Sequence, residues 1–177
     1  MSQVKSMLPP KPTSADYERE IGRLHSVIRN ITARLSIAES TAGATIPMYS
    51  TKRGKHAVRV LLYQDRPVLL AEDVSKILRA EGVIAGRKIA STQELYRLKL
   101  GASEVLSLRR SEIAEYYGVT GRTLTGIIAD SVRSQFVGLV TDRGIEALEW
   151  RAPKFCAWIR SEAFPAALKL LKKGGAS

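Results

Sequence analysis

The chain has 177 residues, 45% of them hydrophobic, enough for one ordinary domain with an appendage and too apolar for wholesale disorder. Its 28 Lys/Arg against 17 Asp/Glu leave a formal charge of +11, and residues 51–110, with thirteen against six, carry seven of those eleven charges, a field that attracts polyanions such as nucleic acid. One cysteine, Cys156, excludes an internal disulfide, and no apolar run approaches the roughly 20 residues that span a bilayer, so no membrane partner is expected.

Residues 1–13 hold Pro9, Pro10 and Pro12, which favour a flexible, extended arm without the apolar core of a signal peptide. Thr13 or Ser14 then caps a helix over 14–39, with Asp16 in its first turn. Along that helix Ile21, Ile28 and Leu35 fall at heptad position a, and Tyr17, Leu24, Ile31 and Ala38 at d. The seam predicts a homo-oligomer built through this helix; an amphipathic helix lying on its own domain is the alternative. Residues 40–56 read as a linker, STAGATIP and onward, ending in a basic cluster, Lys52-Arg53-Gly54-Lys55-His56. Lys52, Arg53 and Lys55 suit phosphate contacts or, equally, a solvated loop.

A helix-rich α+β domain is expected over 57–173, followed by a tail at 174–177. The β-rich runs 57–63 and 68–70 flank Gln64-Asp65-Arg66-Pro67 and predict a hairpin. A short helix over 72–80 turns Val74, Ile77 and Leu78 inward. Ser91 with Glu94 has the spacing of a capping box opening a helix to about Lys99, ended by Gly101. Residues 105–108 and 136–140 read as strands. Thr141 caps a helix to about Trp150, and Pro153 starts a last helix that Pro165 should kink.

Residues 110–129, RSEIAEYYGVTGRTLTGIIA, have the organisation of a helix-turn-helix. Ser111 can cap the first helix, and Ala114 is small where two helices cross. Gly118 falls where the chain must turn sharply, and Val119 plugs the corner. Thr120 can cap the second helix, whose Leu124, Ile127 and Ile128 face the core. The opposite face offers Gly121, Arg122, Thr125 and Gly126. Arg122 could reach guanine O6/N7, and Thr125 a thymine methyl or a phosphate. Arg109 and Arg110 suit phosphate contacts that position the protein without specifying sequence. Gly121 and Gly126 weaken the second helix by about 1 kcal/mol each relative to Ala.

Two stretches resemble the Bro family amino-terminal domain of viral and phage regulatory proteins and antirepressors. VRVLLYQDRPVLLAEDVSKIL at 58–78 is similar to its opening hairpin and helix, with Asp73-Val74 at the helix start. VTDRGIEALEWRAPKFCAWIRSEAFPAALKLL at 140–171 is similar to its closing part, through Gly144, Phe155, Trp158, Phe164 and Pro165. The resemblance covers about 50 residues and implies a phage-type DNA-binding regulator in a bacterial host cytoplasm, associated with the nucleoid. It does not extend to the middle section that holds the helix-turn-helix.

His25, His56 and Cys156 lack zinc-site spacing, and neither a phosphate-cradling loop nor a nucleophile elbow is found. Cys156, among Phe155 and Trp158, reads as a core thiol. Neither a cofactor nor a metal nor enzymatic activity is expected. The function these residues point to is a sequence-specific regulator of transcription acting on double-stranded DNA. The alternatives are an antirepressor that docks on a repressor protein, and an architectural DNA-binding protein of low specificity.

Overall fold

The hairpin expected from 57–70 is present in the computed structural model, which describes residues 12–41, 45–127 and 135–174, and its turn is tighter than the sequence implied. Strands β2 (His56–Tyr63) and β3 (Arg66–Leu70) pair antiparallel through Tyr63–Arg66, leaving only Gln64 and Asp65 between them. Both turn residues take positive φ, 51° and 60°, the backbone hand that matches the twist of the flanking strands. Arg66 and Pro67 thus belong to β3 rather than to the turn.

The chain divides into two units between residues 42 and 43. The first holds helix α1 (Ser14–Thr41), entered by a reciprocal cap in which the Thr13 amide donates to Asp16 at 2.9 Å and the Asp16 amide to Thr13 Oγ1 at 3.3 Å. Its predicted seam is on the surface: Tyr17, Ile21, Leu24, Ile28 and Ile31 are 46–59% exposed. The side chains of Leu35 and Ala38 lie outside the described residues, as do positions 1–11 of the predicted arm and 175–177 of the tail.

The second unit is built on one antiparallel sheet of order β1-β2-β3-β5-β4, an α+β fold. Its first strand corrects the expected linker: β1 (Met48–Arg53) pairs along its whole length with β2, from Met48–Leu61 to Arg53–His56. The basic cluster is therefore the end of an edge strand and a tight turn, not a loose tether. Strands β4 (Val105–Arg109) and β5 (Phe136–Val140) pair in full register and are the last two in the sheet.

Both sheet faces are covered, which explains why β3 and β5 are almost wholly apolar. Val58, Val60, Leu69, Val105 and Val140 face a larger core. It is closed by helices α2 (Ala71–Ala80), α3 (Ser91–Arg97), α6 (Asp142–Leu148), α7 (Pro153–Trp158) and α8 (Phe164–Gly174). Leu61, Val68, Leu70, Val137 and Leu139 alternate to the other face, against α4 (Arg110–Tyr117) and α5 (Gly121–Ile127). Each large apolar side chain taken fully out of water contributes about 1.5–3 kcal/mol, and Leu61, Leu69, Leu70, Leu139 and Phe155 all qualify. Gly138 lets α2 and α3 approach the sheet, since a Cβ there would stand 2.7 Å from Ala71 Cβ and 2.4 Å from Thr92 Oγ1.

Three local expectations need revision. Glu94 does not cap α3: it is buried, accepts from Ser75 Oγ and is ion-paired with Arg79. The turn after α3 reverses at Lys99, with φ 65°, before Gly101 is reached. Pro165 is accommodated by a π-helical turn, Ile159–Ala163, between α7 and α8. Pro165 has no N–H to donate and its ring would strike the carbonyl four residues back, so a widened turn over that carbonyl admits it. Thr141 caps α6 as expected, accepting from the Gly144 amide at 3.4 Å. Cys156 is a buried thiol, and burial pushes it up to about 11.

Candidate nucleic-acid interface

Helices α4 and α5 form an excursion between two neighbouring strands. Arg109, the last residue of β4, lies opposite Phe136 of β5, and the next rung is a bond from the Arg110 amide to the Gln135 carbonyl at 2.9 Å. The start of α4 and the return to β5 are thereby held together. Arg109 rather than Ser111 is the N-cap: its amide donates to Glu112 at 2.8 Å, while Ser111 sits exposed inside the first turn.

At its other end α4 stops at Gly118 in the left-handed region, φ 63° and ψ 32°, where the Gly118 and Val119 amides close back on the Glu115 and Ala114 carbonyls. Val119 is buried at the corner, and Thr120 caps α5 by accepting from the Thr123 amide at 3.2 Å. Leu124, fully buried, anchors α5 to the core that contains Ile113, Val137 and Leu139. The side chain of Ile127, together with Ile128 and Ala129 at the end of the predicted motif, lies outside the described residues.

Arg122 and Gly121 are exposed at the start of α5, with Thr120 exposed just before them. Thr125 is not a free reading residue. Its hydroxyl donates to the Gly121 carbonyl at 2.8 Å and accepts from the Arg110 guanidinium at 2.9 Å. Arg110 and Thr125 thus link the two helices, so both of these expected contact residues already have a partner within the protein. Arg53 is likewise committed: its Nε is 3.0 Å from Glu81, and its guanidinium lies over the rings of Phe155 and Trp158 at 5.9 and 5.5 Å.

The register gathers what is left of the two predicted patches. The end of β1, the start of β2, the end of β4 and the start of β5 lie at the same end of the sheet, since all neighbours are antiparallel. Exposed Lys52, Lys55 and Arg109 therefore share that end. Arg122 stands beyond the opposite end of α4, whose eight residues span about 12 Å. Across residues 109–127 the balance is modest: Arg109, Arg110 and Arg122 against Glu112 and Glu115.

An aromatic clamp absent from the sequence reading fixes α4 to the sheet. Tyr117 donates to the Leu62 carbonyl at 2.6 Å, and Tyr116 accepts from the Gln64 amide at 2.7 Å. Tyr63 and Tyr116 rings lie 4.7 Å apart, Tyr116 and Tyr117 4.9 Å and edge-on. Burial raises Tyr117 far above the ordinary phenol range, so it stays a donor. The paired Tyr-Tyr before the turn glycine was the available signal.

The acids of α2 are also structural. Asp73 accepts from the Arg59 amide and both ends of its guanidinium at 2.7–2.9 Å, and Glu72 pairs with Lys76 at 2.7 Å. Among the described residues no group of three or more His, Cys, Asp or Glu could hold a metal, and no helix is long and apolar enough to cross a membrane. No protein-family model, curated protein or solved structure matches the chain.

Proposed function

We propose that this chain is a DNA-binding regulator of transcription in which α4 and α5 meet double-stranded DNA and α1 pairs two copies. The observation that carries the proposal is the corner at Gly118-Val119-Thr120, a left-handed glycine, a buried plug and a capped second helix that presents Arg122 outward. A second helix held in this way is the element that enters a major groove in helix-turn-helix proteins. Arg122 would read base edges, while Arg109, Ser111 and Thr120, with Lys52 and Lys55 at the same sheet end as Arg109, would meet phosphates. The resemblance of 58–78 and 140–171 to the Bro family amino-terminal domain supports a phage-type regulator of the cytoplasm.

The heptad seam of α1 adds the pairing. Five apolar seam residues about half exposed on one helix are an uncovered surface, and a second copy of the same seam fits a 3.5-residue period. Two copies would present two α4–α5 units to a two-fold operator.

One observation favours the antirepressor alternative. The helix pair has a near-neutral balance, and Tyr116 of α4 and Phe136 at the start of β5 are each 47% exposed, a composition suited to docking on a repressor protein. Binding of genomic fragments at several salt concentrations separates the two. DNA binding through this surface gives log K falling with log salt by about 0.9 per phosphate neutralised, and Arg109→Ala lowers the slope by about one such step. No binding at low salt would leave the antirepressor as the better account.

A further inference from the structure

A hollow of the second unit lies where its sheet parts. Strand β3 meets β5 only at Leu69–Val140 and Leu70–Leu139, then turns into α2 at Ala71, while residues 136–138 of β5 continue paired with β4. A cavity of about 470 Å³ opens beside them, roofed by α2, the segment 88–92 and the turn at Lys55. That volume falls in the range of about 300–1,000 Å³ that holds small organic ligands.

Its walls are apolar below and cationic at the mouth. Ala71, Ile89, Ala90 and Phe136 line it, and the two carboxylates it contains are already matched within the protein. Glu72 lies 2.7 Å from Lys76, and Glu94 is paired with Arg79 and Ser75. Four cationic side chains line the cavity against those two acids: Lys55, Lys76, Arg79 and Lys88. The surplus belongs to Lys55 and Lys88, both exposed at the rim.

We propose that this hollow binds a small organic anion with an apolar body, its acid group at Lys55 and Lys88 and its body against Ala71, Ile89 and Phe136. The site stands independently of whether α4 and α5 bind DNA.

The test uses the full chain and the dye 8-anilinonaphthalene-1-sulfonate, an anion with an apolar body. One saturable site with enhanced, blue-shifted emission is expected. The double variant Lys55→Glu, Lys88→Glu should weaken it about tenfold or more, because two attractions become repulsions. Ala90→Trp, which fills the mouth without changing charge, should weaken it similarly, and the uncharged N-phenyl-1-naphthylamine should bind about tenfold less tightly than the sulfonate. Circular dichroism checks each fold. Should Ala90→Trp not fold, the rim charges, being exposed, still decide. Absence of a saturable site, affinity unmoved by the double charge reversal, or loss of the site on Leu24→Asp, Ile28→Asp in α1 would each overturn the proposal.

Discussion

Replacing Leu124 by Ala should release α5 while leaving the rest of the second unit folded. The helix has seven residues, below the roughly 12–15 at which an isolated helix becomes even marginal in water. It also carries Gly121 and Gly126, each costing about 1 kcal/mol relative to Ala. What holds it is the burial of Leu124, the Thr120 cap at about 1 kcal/mol and the Arg110–Thr125 bond at roughly 1.5–3 kcal/mol. A buried Leu→Ala change costs about 2–5 kcal/mol, the largest of these contributions. Hydrogen exchange read by mass spectrometry should therefore accelerate about thirtyfold or more in 121–127, at about tenfold per 1.4 kcal/mol, with 58–70 unchanged. Adding Gly126→Ala, whose new Cβ meets nothing within 4 Å, should recover about fivefold. Equal acceleration in both segments, or none in 121–127, would refute the claim that Leu124 is the main anchor of a separable helix.

Gly118→Ala should cost about 1–2 kcal/mol by urea denaturation, because φ 63° brings a Cβ too close to the following carbonyl. The Cys156 thiol is raised by burial from 9.0 to about 11, so its neutral form stabilises the fold fully below pH 9 and that contribution fades as pH rises to about 11. Melting scans should show wild type losing more stability than Cys156→Ala between pH 9 and 11; parallel curves would mean the thiol is accessible. Leu24→Asp with Ile28→Asp should convert a dimer to a monomer in sedimentation without changing the melting of the second unit, whereas an unchanged assembly would remove α1 as the pairing element.

Features set by short-range chemistry were legible in the sequence. The alternation of 57–63, the Thr141 cap, Pro153 at a helix start and the Gly118 corner all depend on residues within one turn of each other. What escaped depends on partners far along the chain. Strand β1, MYSTKR, has no apolar alternation and no fully buried residue, and only its pairing with β2 makes it a strand. The Ser-x-x-Glu spacing at 91–94 is real, but Arg79 and Ser75 claim the Glu94 carboxylate. Arg53, Arg110 and Thr125 read as free contacts because Glu81, Phe155 and the helix crossing are visible only in three dimensions. Of the predicted site, the corner and the exposure of Arg122 and Arg109 are seen in the structure, and Arg110 and Thr125 also brace the two helices.

Paired titration of a preferred duplex and a random duplex with Arg122→Ala and Arg109→Ala tests most directly whether α5 reads sequence. Neither side chain is buried, so both variants should keep the wild-type circular dichroism spectrum. Arg122→Ala should lose about 1–3 kcal/mol on the preferred duplex and far less on random DNA, while Arg109→Ala should weaken both by a similar factor. Equal losses on both duplexes for Arg122→Ala would contradict base reading by α5, and no loss on either would remove the helix pair from the DNA interface.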